Sequence, residues 1–175
     1  HTVIGGVLVM TNFVDDPQEW PLTSGVPSVS NKMQDLSNWP ASTECKSLRS
    51  FRSFLIALNL EKSSVPNSRV VKWSTEAAVN AVPSSWDETS ATVDAGEYSL
   101  EDTKGAILDG LPLQDTFMIY KEDSTYAMTY VGTPFIFAFR QLSPTVGALA
   151  KNCITEFDGG HFIFGNGDMY INDGQ

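Results

Sequence analysis

The strongest constraint on this sequence is one pattern that occurs three times: an apolar, aromatic-rich segment, a short polar break and a second apolar segment. The three copies start near Phe54, Phe117 and Phe162, and their breaks lie at 63–67, 121–124 and 165–167. Short runs of β-branched and aromatic residues that are separated by turn-forming residues are typical of β-hairpins. The pattern therefore predicts three hairpins and an all-β fold.

Further strands are predicted beside the hairpins. One precedes each hairpin, at 46–51, 105–109 and 152–157, and another follows the second hairpin at 135–140. In this last segment Phe135, Phe137 and Phe139 alternate, so we expect their side chains on one face of the strand.

The spacing of the hairpins favours β-propeller blades. Phe117 and Phe162 are 45 residues apart, and about 45 residues is the length that a four-stranded blade occupies. We predict an all-β fold of propeller blades, each an antiparallel four-stranded sheet, incomplete within this chain and interrupted by long loop insertions. A β-sandwich is the alternative, because the same strands could also build one.

Residues 1–175 are expected to form part of one propeller-like domain. The apolar run 3–11 is interpreted as a single buried strand, whereas 12–40 and 75–104 are interpreted as long loops or insertions because they are rich in proline, glycine or acidic residues. Three blades would leave open sheet edges. We therefore expect residues before His1 and beyond Gln175 to complete the ring.

The charge of the chain disfavours binding to nucleic acid. There are 21 acidic and 11 basic residues, a formal net charge of -10, and the basic residues do not cluster. Affinity for DNA rests largely on neutralising phosphates with Lys and Arg.

The sequence contains no run of about 20 apolar residues, so it predicts no membrane span. The cysteines, Cys45 and Cys153, lack metal-binding spacing and are expected to be free thiols, with one long-range disulfide as the alternative.

Few residues point to catalysis. His161 begins a predicted strand without a nucleophile motif, so a turn or edge role is favoured over a catalytic one. The acidic pairs 87–88, 101–102 and 122–123 could supply the two carboxylates of a glycosidase, and Trp73 or Trp86 could stack on sugars. The competing interpretation is that adjacent carboxylates in polar loops are solvated and that these tryptophans belong to the core.

Oxygen-rich segments at 166–168 and 172–174 suit Ca²⁺ by residue type but lack EF-hand spacing, and Asn-Gly and Asp-Gly form turns. The sequence therefore predicts no catalytic, cofactor-binding or metal-binding residues and no cofactor. We expect a protein that is not an enzyme. A propeller glycosidase or a carbohydrate-binding module that acts on host-surface glycans is the alternative.

A set of ordered motifs, found over about three quarters of the chain, carries a family resemblance. The motifs are CKSLRSF at 45–51, FLIAL at 54–58, KWS at 72–74, PSSWD at 83–87, DAGE at 94–97, ILDGLPLQD at 107–115, IYKE at 119–122, YVG at 130–132, FAFR at 137–140 and NCITEFDG at 152–159. In order and spacing they resemble the tail nozzle, or tail tubular protein B, family of short-tailed bacteriophages. Two positions depart from the family pattern: Thr75, where an acidic residue is usual, and Thr133, where a second glycine is usual.

The resemblance implies a structural protein of the virion tail that is assembled in the host cytoplasm. In this family six copies form a nozzle below the portal and adaptor proteins, beside the tail fibres. The nozzle closes the tail and conducts DNA during genome ejection without sequence-specific binding. An acidic wall is consistent with such a duct, because it would let a polyanion slide without holding its phosphates.

Overall fold

The computed structural model describes residues 1–28 and 30–174 of the chain. In these residues the regular structure consists of β-strands, with no helix, and every strand pairing is antiparallel. Three of the sheets have four strands. The predicted class, all-β with antiparallel four-stranded sheets, is confirmed. The strands form two compact units, His1–Ser99 and Leu100–Gln175.

No described element is a helix of the length and apolarity needed to cross a lipid bilayer.

The first sheet of unit 1 corrects two sequence interpretations. Its strands are β1 (Thr2–Ile4), β2 (Val7–Met10), β3 (Gln18–Trp20) and, after a small hairpin of β4 (Leu22–Thr23) and β5 (Val26–Pro27), β6 (Gln34–Asp35), in the order β1-β2-β3-β6. The run 3–11 is a hairpin and not one strand, because Gly5 and Gly6 turn the chain at φ of 55° and 89°. Segment 12–40, predicted as a loop, contributes strands of only two or three residues, too short to show a period of two.

The second sheet of unit 1 contains the first predicted hairpin. Its strands are β7 (Thr43–Phe51), β8 (Phe54–Lys62), β9 (Val65–Trp73) and β10 (Gly96–Ser99), each paired with its sequence neighbour. Ser63 and Ser64 alone connect β8 and β9, both with positive φ, as the tight turns that match strand twist require. Strand β10 lies inside the predicted insertion 75–104 and completes the sheet.

Strand β8 is central to the core of unit 1. Every residue from Phe54 to Leu60 is buried, since β7 and β9 flank the strand and side chains cover both faces. One face packs against the first sheet in a cluster that includes Val9, Leu48 and Trp86. Such a continuous apolar run is expected of a strand that is covered on both faces.

Unit 2 repeats the consecutive pairing of strands. Its four-stranded sheet consists of β11 (Ile107–Leu113), β12 (Thr116–Lys121), β13 (Thr125–Gly132) and β14 (Ile136–Ser143), and its three-stranded sheet of β15 (Ile154–Phe157), β16 (Gly160–Phe164) and β17 (Met169–Asn172). The second and third predicted hairpins are confirmed, together with the strands predicted before them. Phe54, Phe117 and Phe162 each lie in the second strand of their sheet.

One aromatic prediction in unit 2 needs correction. Phe135 does not share a face with Phe137, because it precedes β14 and is exposed, while Ile136 is buried with φ of 57°. The positive φ of Ile136 changes the direction of the chain at the start of β14. The alternation of phenylalanines therefore begins at Phe137 and not at Phe135. Phe162 is only half-buried, because it points to the outer face of its sheet, whereas Phe117 is in the core.

Gly96 provides a test of how β10 packs. Its backbone lies under the Trp73 ring, whose Nε1 donates to the Asp94 carbonyl at 2.8 Å, and a Cβ at position 96 would overlap that ring. We expect Gly96→Ala to lower the free energy of unfolding by about 1–3 kcal/mol in denaturant titrations. The same change in a Trp73→Leu background should cost less, since the smaller side chain leaves space. Equal costs in both backgrounds would contradict this packing.

Candidate functional site

His161 is buried in the middle strand of the three-stranded sheet and not in a turn or at an edge. Its Nδ1 lies 2.7 Å from the Tyr120 hydroxyl oxygen and its Nε2 lies 3.0 Å from the Pro112 carbonyl oxygen. Asn172 Nδ2 donates to the same hydroxyl oxygen at 3.0 Å. The side chains of Tyr120, His161 and Asn172 thus form a buried polar chain that links the two sheets of unit 2.

The hydrogen-bond acceptors along this buried polar chain of side chains determine which ring nitrogen of His161 carries a proton. A carbonyl can only accept, so Nε2 of His161 carries the proton toward Pro112, and Nδ1 of the neutral ring accepts from the Tyr120 hydroxyl. Burial lowers the pKa of His161, although the bond to Pro112 and the charge of Glu156 oppose the shift. Burial likewise raises the pKa of Tyr120. Both groups are therefore neutral near pH 7, and their hydrogen bonds join strands of the two sheets.

Protonation of His161 should destabilise the fold. Because its folded pKa lies below its unfolded value, the unfolded state binds more protons in mild acid, and the contribution to stability falls as pH drops below about 6.5. We expect the free energy of unfolding of the wild type to fall more between pH 7 and pH 5 than that of His161→Gln. The other histidine, His1, is exposed. Parallel pH profiles for the two proteins would contradict this assignment.

Unit 1 contains a cluster of charges around Lys72. This side chain lies on β9 with 1% of its surface exposed, and its Nζ donates to Glu88 and, at 3.4 Å, to Glu97. Lys62 pairs with Glu97 and lies 3.8 Å from Glu88. Burial raises the pKa of Glu88, but the hydrogen bond and charge of Lys72 outweigh it, and the net shift is downward. The cluster fastens the insertion that carries Glu88 to the sheet.

Unit 2 contains a second buried ammonium group. Lys121 at the end of β12 is fully buried, and its Nζ donates to the carbonyls of Leu100 at 2.8 Å and Thr103 at 2.7 Å. The Nζ also lies 5.6 Å from the ring centroid of Tyr126, close enough for a cation–π interaction. Lys121 therefore holds the segment that enters unit 2 against its four-stranded sheet.

Replacement of Lys121 should destabilise the folded protein. We expect Lys121→Met to lower the free energy of unfolding by about 2–4 kcal/mol, because two carbonyls would lose their donor in a buried place. Lys104→Met is the matched control, since Lys104 is exposed on the same connecting segment and should change stability by less than about 0.5 kcal/mol. Both values come from chemical denaturation, and a similar loss in the two variants would contradict the role of Lys121.

The acidic pairs 87–88 and 122–123 have structural contacts. The Asp87 carboxylate accepts from the hydroxyl and amide of Thr89, which lower its pKa, while its neighbour Glu88 binds Lys72. In the pair 122–123, Glu122 accepts from the Ala106 amide and Asp123 from the Gly105 amide. Burial raises the pKa of Asp123, but its hydrogen bonds shift it below the ordinary value. The pair 101–102 is exposed in a turn.

The two tryptophans considered for stacking on sugars are both buried, with 6% of Trp73 and 2% of Trp86 exposed. Trp86 packs edge-on against Trp39, at a ring-centroid distance of 4.7 Å. Beside Trp86 is a cleft of about 400 Å³ whose polar lining includes Asn38, Ser84 and Asp87. Neither indole presents a face on which a sugar ring could stack, so their burial matches the core interpretation.

Metal-binding groups do not gather in the described part of the chain. Among residues 1–28 and 30–174, no group of three or more His, Cys, Asp or Glu side chains is placed so that it could hold a metal ion. Asp168, in one of the oxygen-rich segments, accepts from the Met169 amide, and Asn172, in the other, accepts from the Gly174 amide. Cys45 and Cys153 do not form a disulfide in the described residues.

The outer face of the three-stranded sheet in unit 2 carries several exposed apolar side chains. Residues on this face alternate with the inward-facing Ile154, His161 and Ile163. Its large members are Phe157, Phe164, Met169 and Ile171, with 67%, 49%, 58% and 73% of their surfaces exposed, and the half-buried Phe162. A contiguous exposed apolar patch of this kind marks an interaction surface more often than an active site.

No protein-family model matches the chain, and no curated protein matches it in sequence.

Sequence reasoning missed the buried polar groups. Lys72 and Lys121 each follow two apolar residues and lie in the last two positions of a strand, and such a placement was a usable signal of burial. The Tyr120–His161–Asn172 chain joins residues up to 52 positions apart, and no local pattern connects them. The exposed face was detectable in outline, because Phe162, Phe164, Met169 and Ile171 alternate on two adjacent strands.

Proposed function

We propose that this chain is a structural protein of the virion of a short-tailed bacteriophage, part of a homohexameric tail nozzle that closes the tail and conducts DNA. The main observation in support of this proposal is that the buried charges and hydrogen bonds join strands and loops. Lys72, Lys121 and His161 each link segments distant in sequence. Such networks rigidify a fold when every member is satisfied. A protein whose work is to hold a shape needs this rigidity.

The acidic pairs support a role without catalysis. A glycosidase needs one carboxylate with a raised pKa as acid and a second, ionised carboxylate across the bond. The pKa values of Asp87, Glu88 and Asp123 are all shifted downward. These carboxylates remain ionised near neutral pH and bind lysine, threonine or backbone amides. They act as caps and ion-pair partners in the proposed tail protein.

The net charge of -10 supports passage of DNA without retention. Acidic surface repels phosphate at distances up to about 10 Å at moderate ionic strength. In the proposed nozzle, DNA, the portal and adaptor proteins, and the tail fibres are the partners. Assembly takes place in the host cytoplasm, and the mature location is the virion tail.

A glycan-binding or glycan-cleaving function on the host surface is the second candidate. The cleft beside Trp86, with Asn38, Ser84 and Asp87 in its lining, favours it, since polar side chains that converge in a concave site suit sugar hydroxyls. The same cleft lacks an exposed aromatic face, because Trp86 is buried.

Electron microscopy of the purified protein tests the two candidates together. We expect negative-stain images of six-fold rings, and light scattering after size exclusion should give a mass six times that of one subunit. A labelled DNA duplex should show no mobility shift at physiological salt. A monomer would contradict the nozzle, and saturable glycan binding or turnover by that monomer would establish the second candidate. DNA retention that weakens steeply with salt would contradict the acidic duct.

A further inference from the structure

The tip of the β16–β17 hairpin is the two-residue turn Asn166-Gly167. One backbone hydrogen bond closes this turn, from the Gly165 amide to the Asp168 carbonyl at 2.9 Å. Gly165 is buried, whereas Asn166, Gly167 and Asp168 are exposed. The two residues at the tip therefore lie beyond the last bond between the strands and are in contact with water.

The two glycines of this turn differ in packing. A Cβ at position 165 would overlap the Tyr170 ring, so Gly165 is held against its neighbours. A Cβ at position 167 would meet nothing within 4 Å, and Gly167 has a φ of 95°, which glycine adopts without a steric penalty. Among the contacts of residues 1–28 and 30–174, no hydrogen bond involves the Gly167 N–H or the Asn166 carboxamide. No partner therefore restrains either group.

An asparagine that precedes a glycine is open to attack by its own backbone. The amide nitrogen of the following residue and the side-chain carbonyl carbon, Cγ, can close a five-membered ring, and two groups held in one chain react faster than separate molecules. A Cβ on the following residue hinders the approach of the nitrogen, and glycine has none. Asn166 is the only asparagine in the sequence that is followed by glycine.

Other asparagines of the chain are restrained by hydrogen bonds. Asn67 Nδ2 donates to the Val65 carbonyl at 2.9 Å, and Asn172 Nδ2 donates to the Tyr120 hydroxyl at 3.0 Å. Both are followed by a residue with a side chain. A bonded carboxamide must first give up its partner before Cγ can turn toward the backbone nitrogen, so these two positions are protected where Asn166 is not.

We propose that Asn166 is a modification site, at which the folded chain deamidates spontaneously. The Gly167 nitrogen loses its proton to hydroxide and attacks Cγ of Asn166. The new N–Cγ bond closes a succinimide ring, the bond from Cγ to the side-chain nitrogen breaks, and ammonia leaves with a proton from water. Water then opens the ring: addition at Cγ gives aspartate, and addition at the main-chain carbonyl carbon gives isoaspartate. No electrons are gained or lost, and water is the only co-reactant.

The modification changes both the charge and the backbone of the tip. Each product carries a new carboxylate, in a cleft that Asn166 lines together with Glu122 and Asp123, and like charges repel. Isoaspartate also lengthens the backbone by one carbon, because its main chain continues through the side chain. The bond from Gly165 to Asp168 spans two residues of ordinary length, so the isoaspartyl form loses it. This site goes beyond the proposed assembly of the chain and does not depend on it.

Incubation of the purified chain at about pH 8, followed by tryptic digestion and mass spectrometry, tests the site. Cleavage after Lys151 places Asn152, Asn166 and Asn172 in one peptide, so fragment ions compare three asparagines within one sample. We expect conversion at Asn166 at least about tenfold faster than at the other two. At about pH 6 the rate should fall at least about tenfold, because the attacking nitrogen must lose its proton. An unincubated sample digested in parallel corrects for conversion during digestion.

Variants identify the attacking nitrogen. Gly167→Ala should slow conversion of Asn166 at least about tenfold, because its Cβ hinders the approach of the nitrogen. Gly159→Ala is the matched control: Gly159 is also an exposed turn glycine, with a φ of 76° and nothing within 4 Å of an added Cβ. It introduces a similar backbone strain away from Asn166 and should leave the rate within about twofold. Asn166→Gln should release no ammonia at this position on the same timescale, because attack would have to close a six-membered ring.

The structural consequence has its own measurement. Amides of 169–172 should exchange hydrogen faster in incubated wild type than in freshly prepared Asn166→Asp, which has the new charge on an ordinary backbone. An isoaspartyl methyltransferase with labelled methyl donor should modify the incubated wild type and leave incubated Asn166→Gln unlabelled. Equal exchange in the two samples would overturn the loss of the closing bond.

Conversion at Asn166 no faster than at Asn152 and Asn172 would overturn the proposal, and so would equal slowing by Gly167→Ala and Gly159→Ala. Thermal unfolding of each variant checks that it is folded. The comparison of the three asparagines uses the wild-type chain and tests the same site without any substitution.

Discussion

A lysine ammonium that is removed from water must be surrounded by acceptors, and both units of this chain are organised around that requirement. Lys72 receives carboxylates from an insertion and from β10, and Lys121 receives carbonyls from the segment that precedes β11. A buried charge that loses its partners is strongly destabilising. Segments without regular structure of their own are therefore held in one place by the need to satisfy a cation.

The same requirement accounts for how the polar residues are used. Carboxylates that look available in the sequence accept hydrogen bonds from lysines, threonine or backbone amides, and the single buried histidine passes a hydrogen bond from Tyr120 to a carbonyl. A catalytic carboxylate or imidazole is poised to exchange protons near neutral pH. These groups instead have pKa values moved away from that range, the acids downward and the tyrosine upward. Their hydrogen bonds join separate segments of the chain, and the proposed structural role is based on these links.

The hairpins were predictable because their signals are local. Apolar runs around Phe54 and Phe117 meet turn formers within a few residues, and the chain pairs there as expected. The short strands in 12–40 were not predictable, since two or three residues carry no measurable period. Burial of His161 depends on Tyr120 and Asn172, which lie 41 and 11 positions away, and single-residue patterns do not reveal such partners. The burial of Ile136 was not predicted for another reason: its positive φ changes which neighbouring side chains face inward.

The order in which strands pair has a consequence for how the chain acquires its structure. In the sheets that begin at β7, β11 and β15, each strand bonds to the strand made just before it. Contacts between near neighbours close short loops and shorten the search for the native state. The sheets of unit 2 can form one after another as the polypeptide leaves the ribosome. In unit 1 the last strand, β10, must wait for more than twenty intervening residues, so that sheet closes more slowly than those that follow it.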